Sequence, residues 1–254
     1  MELIVNIIVP NFNKGKYIER CILSIINQTF KNWHLILVDD ASIDNSKNIL
    51  KKFSTNKKIT FIYLKKNKGP SFCRNLGLRK SSSKYIAFLD SDDFWSLNKL
   101  EEQVSFMESR NFDMTYTDYL TIKEENEEKI LKKTSISNNF NYISFLKDNS
   151  INTSTLIIKK NIIGNVKFKK TSLLEDYIFK CEILKKGVIA HKLDKVLATY
   201  RVTPSNRSSN IFYNFLNLFF LNKKFNNLNF FFNIYCILST SIRSIKKYGL
   251  KKYF

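Results

Sequence analysis

Residues 3–90 alternate short apolar runs with helix-spaced segments, and this alternation restricts the chain to few architectures. LIVNIIVP (3–10), HLILVDD (34–40), ITFIYL (59–64) and YIAFLD (85–90) are rich in β-branched and aromatic residues, and each reads as a buried strand. Between them, Ile18, Ile22, Ile25 and Ile26 recur at helical spacing over about 16–28. Asp44 stands where an N-cap would for a helix carrying Ile49, Leu50 and Phe53, and Gly69-Pro70 opens a helix through about Arg79. Such alternation predicts an α/β fold with a mostly parallel central sheet flanked by helices. In such sheets ligands bind beyond the carboxyl ends of the strands. Two of these strands end there in acids: Asp39 and Asp40 on the second, Asp90, Asp92 and Asp93 on the fourth.

The 254 residues are enough for one large domain with its own core. With 44% hydrophobic and 25% charged residues, the composition excludes wholesale disorder. No apolar run reaches the ~18 residues that span a bilayer. The MELIVNIIVPNFN start lacks the basic region and the cleavage site of a signal peptide; the expectation of a cytoplasmic protein rests on its thiols. Cys21, Cys73, Cys181 and Cys236 form no CxxC pair, so zinc ribbons and dithiol redox motifs are excluded, and scattered thiols suit a reducing compartment. His34 and His191 are too few and too far apart for a His-rich metal site. No Walker-type phosphate loop occurs.

Lys and Arg number 42 against 22 acids, a net charge of +20. An excess of this size points to an anionic partner, or to an AT-rich genome that writes Lys and Asn everywhere. The excess is uneven, since no acid follows Asp194. Beyond the first third, Lys123–Lys133 reads as a charged surface loop or hairpin, and NTSTLIIKK (152–160) as a strand. SLLEDYIFKCEILKKG (172–187) reads as a helix stopped at Gly187, and 188–202 as one or two strands. The tail, 211–254, holds 13 aromatic residues and seven Lys/Arg. Basic aromatic helices of this kind suit a membrane interface, with packing on the preceding domain or on a second subunit as the alternative. The expected division is 1–210, made of two halves (1–120 and 121–210), followed by the tail.

The run FLDSDDFW places three carboxylates within four positions. Hard divalent cations take carboxylate oxygens, and Mg²⁺ often needs one or two of them plus phosphate oxygens. The competing reading is an acidic turn in which Ser91 or Asp93 caps a following helix. For Glu175-Asp176 the residues alone fit an exposed first helical turn, where acids favour the dipole.

Together, VNIIVPNFNKGKYIERCILSIINQTFKNWHLILVDDASIDNS, NKGPSFCRNLGL and YIAFLDSDDFW resemble the family 2 glycosyltransferases, which have the GT-A nucleotide-diphospho-sugar fold. The resemblance covers 5–120 in order and spacing, and continues more loosely through LLEDYIFKCEILKKG and VLATYRVTPSNRSSN. It is nearest to members that build capsule, teichuronic-acid or lipopolysaccharide-type glycans. It implies a metal-dependent, inverting hexosyl-type transferase using a nucleotide sugar, UDP-linked, with Mn²⁺ or Mg²⁺ as cofactor. The implied acceptor is a glycan or lipid-linked glycan at the inner face of the cell membrane, with no nucleic acid involved.

The resemblance also implies roles. Pro10 and Asn11 would touch base and ribose, and Asp40 would accept the uracil N3–H. Arg74 would lie over the diphosphate. Asp90, Asp92 and Asp93 would form the DXD-like motif, with Asp92 or Asp93 as metal ligand. Asp176 would be the general base. Tyr200, Arg201 and Ser208 would cover the donor phosphates. Many relatives carry a His shortly after the Tyr-Arg pair; here Val202-Thr203-Pro204 stands instead, with Arg207 nearby. Two other readings compete. A nucleotidyltransferase would want a Gly-rich phosphate loop after the first strand, and VPNFNKGKY lacks one. A nucleic-acid-binding protein would gather its cations on one module, and the acid clusters oppose this.

Overall fold

The structure is a computed structural model that describes residues 5–123, 126–134, 139–202 and 211–248. The alternation predicted from sequence is realised. β1 (Val5–Asn11), α1 (Gly15–Ile26), β2 (Trp33–Asp39), α2 (Ser46–Lys51), β3 (Ile59–Tyr63), α3 (Pro70–Lys80) and β4 (Tyr85–Phe88) follow one another. Their strands lie in the order β3-β2-β1-β4, all parallel. Val5, Ile7, Ile8 and Val9 of β1 are fully buried, as continuous apolar strands between helix layers must be. α1 turns Ile18, Cys21, Ile22 and Ile25 inward. α3 lies close on β1 because Gly77 has no side chain; a Cβ there would come within 2.5 Å of the Ile8 side chain.

After β4 come β5 (Phe94–Trp95), α4 (Lys99–Arg110), β6 (Met114–Lys123) and β7 (Asn126–Thr134). Then follow α5 (Tyr142–Lys147), a 3-10 turn (Thr153–Thr155), β8 (Ile157–Lys159), α6 (Lys160–Ile163), α7 (Glu175–Leu184) and β9 (Ala190–Val202). β8 joins β4 to β6 antiparallel, β6 pairs β9 parallel, and β5 closes the path on β9. The sheet therefore becomes mixed in its second half. β6 and β7 form an antiparallel hairpin across the charged 123–133 stretch.

Three local readings are corrected. The 152–160 segment is a 3-10 turn followed by a short strand, because the Asn152 side chain accepts from the Ser154 N–H and caps a turn. No helix starts at the acidic run: β5 intervenes, and α4 begins at Lys99 after Asn98. Leu174 precedes α7 in a left-handed conformation (φ 62°), so α7 is shorter than 172–187.

α8 (Ile211–Asn226) and α9 (Phe230–Tyr248) form a helical hairpin. Its Leu218, Leu221, Cys236 and Ile237 belong to the same hydrophobic core as β1 and β4. Asn222 accepts from the Tyr177 hydroxyl at 2.7 Å and donates to Asn233 at 2.9 Å, fastening the hairpin to α7.

Candidate active site

The site is built where β1, β2 and β4 end. The Asn11 amide donates to Asp39 at 2.8 Å and to Ser42 Oγ at 3.2 Å, while the Ser42 N–H donates to the second Asp39 oxygen at 3.1 Å. Asp39 is thus fully buried and spent on tying β1 to the loop after β2. Pro10 sits half-buried one residue earlier, level with Val38 of β2. Asp40 has a different task. Its two oxygens accept the N–H groups of Lys68 and Gly69, at 2.7 and 2.8 Å, and so shape the turn that opens α3. Gly69 there has φ 84°, which favours glycine. Asn13, Ala41 and Leu174, all non-glycine residues in the left-handed region, occur in the loops of this same edge. Such strain persists only where surrounding structure enforces it, and it clusters at functional sites. Asp44 bridges two helix starts, accepting from the Gly15 N–H at 2.7 Å and the Ser46 N–H at 3.0 Å.

The three acids after β4 have three different surroundings. Asp90 accepts from Arg74 Nη2 at 2.7 Å. Asp92 pairs with Lys14 Nζ at 2.6 Å. Asp93 is buried, and accepts the Ser154 hydroxyl at 2.6 Å and the Arg201 backbone N–H at 2.9 Å. Burial, then the charges of Asp92 and Asp90, push the Asp93 carboxyl well above its usual range. Arg201 also donates from Nε to the Asp92 carbonyl at 3.2 Å, and its guanidinium lies 4.6 Å from the Tyr17 ring.

Arg74 joins two motifs far apart in sequence. It is buried, and donates from Nη2 to Asp90 and from Nη1 to Glu175 at 3.0 Å. Burial opposes its charge, but Asp90 and Glu175 outweigh burial and raise its pKa. The guanidinium that the resemblance sets over the diphosphate thus ties together acids of two distant motifs. Next to it, Asp176 accepts from the Thr153 hydroxyl at 2.8 Å and from Lys180 Nζ at 2.7 Å. Burial alone would raise the Asp176 carboxyl; the Lys180 charge and hydrogen bond, with Arg74 and Thr153, hold it well below the usual carboxylate range. Lys180 is itself buried and donates to the Ile151 carbonyl at 2.6 Å.

The structure thus gathers Asp90, Asp92, Asp93, Arg74, Arg201 and Asp176 at one edge through shared partners. Ser208 and Arg207 lie outside the described residues. Lys14, Thr153, Ser154 and Lys180 join the site without having been singled out by sequence, and Glu175, read there as an exposed helical turn, is buried against Arg74. Lys180 had a readable signal, being four residues after an acid on one helix. Thr153 and Ser154 had none, since their partners are distant in the chain. His191 stacks on Phe112 at 3.6 Å and takes no part. A cavity of about 790 Å³ lies elsewhere, where β4 begins, and none of these acids lines it.

A model for glycosyl transferase family 2 matches residues 6–168, more than half of the chain. The chain belongs to glycosyl transferase family 2. This family member is 29% identical over 245 residues to a protein named for teichuronic acid biosynthesis, the glycosyltransferase TuaG of Bacillus subtilis, covering 96% of this chain and 97% of TuaG. It is 33% identical to the Escherichia coli UDP-Glc:alpha-D-GlcNAc-diphosphoundecaprenol beta-1,3-glucosyltransferase WfgD, covering 83% and 82%. Among solved structures, S. aureus TarS in complex with UDP-GlcNAc superposes with a TM-score of 0.72 at 19% identity, covering 97% of this chain and 73% of that one. The mannosyltransferase PcManGT of Pyrobaculum calidifontis, in complex with GDP-Man and Mn²⁺, gives 0.69 at 15% identity, covering 99% and 73%. The family 2 chain is therefore a glycosyltransferase with the GT-A fold.

Among the described residues, no three carboxylate, imidazole or thiolate groups converge as an all-protein cage. A cation that takes one carboxylate and completes its shell with diphosphate oxygens and water needs no such cage. Asp92 fits that arrangement, its carboxylate being paired with the Lys14 ammonium among the described residues. Asp93 fits it poorly, since both its oxygens accept protein hydrogen bonds.

Proposed function

We propose that this glycosyltransferase moves a sugar from a UDP-linked donor to a hydroxyl of a growing, lipid-linked cell-surface glycan, with inversion at C1. One observation carries the reading: the carboxylate run after β4 and the acid pair of α7 share one edge, linked through Arg74 and the 153–155 turn. The names of WfgD and of the UDP-GlcNAc complex of TarS support the donor and acceptor class.

In this reading Pro10, Asn11 and Asp40 face the nucleoside. A base N–H would share the Asp40 carboxylate with the N–H groups of Lys68 and Gly69. Asp176 takes the acceptor hydroxyl proton as its oxygen attacks C1 from the face opposite the leaving group. The C1–O bond to the diphosphate breaks, and the nucleoside diphosphate departs with that electron pair. The ion pair with Lys180 keeps Asp176 ionised, the form that a base requires. Mg²⁺ or Mn²⁺, held by Asp92 and phosphate oxygens, would neutralise charge building on the leaving group. Lys14, at 2.6 Å from Asp92, and Arg201 supply further positive charge on that side.

The test is a panel of nucleotide sugars with purified protein and Mn²⁺, read as nucleoside diphosphate release. UDP-sugar turnover that is lost in EDTA, restored by Mn²⁺ and removed by Asp92→Asn is expected. Turnover persisting in excess chelator would overturn the metal assignment, and failure to bind or turn over any nucleotide sugar would overturn the function.

A further inference from the structure

We propose that the outer face of the α8–α9 hairpin is a preformed docking surface for an anionic lipid bilayer. On α9, Phe231, Ile234, Tyr235, Leu238 and Ile242 stand at i, i+3, i+4, i+7 and i+11, one stripe of a helix. All five are exposed, Phe231 to 83%, Leu238 to 56% and Ile242 to 54%. Asn233, Cys236 and Ile237, on the opposite side, are buried against the rest of the molecule. Phe220 of α8 and Phe230, also exposed, extend the apolar surface around the hairpin turn through edge-to-face contacts with Phe219.

Packing and docking are therefore divided between two faces of the same helices. The inner face is satisfied by Asn222, Asn226 and Asn233, by the Tyr177 hydroxyl, and by Ser239 donating to the Lys147 carbonyl. Within the stripe, the Tyr235 ring has the Lys147 ammonium 5.2 Å away, while Ile234, Leu238 and Ile242 remain exposed. A contiguous apolar patch of this kind on a water-facing surface marks an interaction site. Charge selects the occupant. Residues 211–254 carry seven Lys/Arg and no acid, and Lys223 and Lys224 are exposed beside the turn. Arg243 is paired with Asp148, and the exposed Lys223 and Lys224 are complemented by an anionic headgroup layer. No helix among the described residues is long and apolar enough to cross a membrane, so the surface lies on the bilayer.

The docking stands on this geometry alone; its use rests on the transferase reading. Tyr177, which anchors Asn222, is adjacent to Asp176. A hairpin held at the headgroups would place the proposed base next to a lipid-linked acceptor.

The experiment is flotation of the full chain with vesicles. Each cation near an anionic surface adds roughly fivefold to binding, so the wild type should float with vesicles rich in phosphatidylglycerol and at least about tenfold less with phosphatidylcholine alone. Phe231→Ser/Leu238→Ser/Ile242→Ser should lose most flotation while keeping the far-UV spectrum, the Tm and the release of UDP from donor by water. A second variant, Lys223→Glu/Lys224→Glu, should weaken flotation with anionic vesicles only. The proposal is overturned if the wild type does not float with anionic vesicles, or if both variants float as it does. It is also overturned if the wild type is a dimer by light scattering that the triple variant makes monomeric. UDP-sugar turnover is read separately, so a failed transferase reading would not be mistaken for failed docking.

Discussion

Asp176 and Lys180 show how one residue's chemistry is set by another four positions on. The carboxylate is partly accessible, yet the Lys180 ammonium beside it is buried, so the pair is stronger than a surface ion pair. The folded carboxyl lies below its ordinary value. Its stabilisation is therefore complete above the ordinary carboxylate range and is lost as pH falls through the folded value. Asp176→Asn keeps an acceptor for Thr153 and Lys180, so the fold should survive. Turnover should drop about 10²–10⁴-fold with donor affinity unchanged, as measured by kcat and a donor titration. Loss of donor affinity with intact turnover would move Asp176 to the donor site. Lys99 is the opposite case. It is fully buried, its ammonium has no hydrogen-bond partner among the described residues, and the Trp95 ring lies 4.0 Å away. Burial drives its pKa well below the ordinary lysine value. The unfolded chain then binds more protons, so stability climbs with pH until the ordinary lysine range. Lys99→Met should raise stability by about 1 kcal/mol or more and flatten that climb, measured by chemical denaturation at several pH values.

At the scale of elements, the 3-10 turn Thr153–Thr155 acts as a clip between two motifs. Thr153 holds Asp176, and Ser154 donates to Asp93 while accepting the Asp90 N–H at 3.1 Å. Its carbonyls accept from Trp95 Nε1 at 2.7 Å and from Gln103 at 3.0 Å. Ser154→Ala would leave a buried carboxylate and an N–H short of a partner, costing about 1–3 kcal/mol. The donor KM should rise, because the acidic run loses its anchor, while Ser154→Thr should restore part of the loss. A donor KM equal to wild type in the alanine variant would show that the clip serves folding alone.

For the whole molecule, the net charge of +20 dominates long-range electrostatics. Self-repulsion destabilises a compact state and is screened as the Debye length falls from about 30 Å at 0.01 M salt to about 10 Å at 0.1 M. Thermal unfolding should therefore shift upward by about 2–4 °C over that range, the equivalent of roughly 1 kcal/mol for a chain near this size. A fall in Tm with salt would show that local pairs such as Lys84–Glu108 and Lys195–Glu102 outweigh the overall repulsion.

What the sequence determined by itself was local and periodic. The four apolar runs and the helices between them set the parallel half of the sheet, because buried strands and amphipathic helices carry their periods in the chain. Acids at the ends of two such strands marked the functional edge, and family-like spacing named the fold. The tertiary structure decided what depends on residues far apart. Arg74 and Glu175 meet across 101 positions. Ser154 and Asp93 meet across 61. No local pattern encodes such a meeting, since it arises only when β8 crosses between β4 and β6 and swings the 153–155 turn beneath the acidic run. The same holds for the tail. Its composition allowed either packing or an exposed interface, and only the folded hairpin, with Asn222 turned in and Leu238 turned out, separates the two faces.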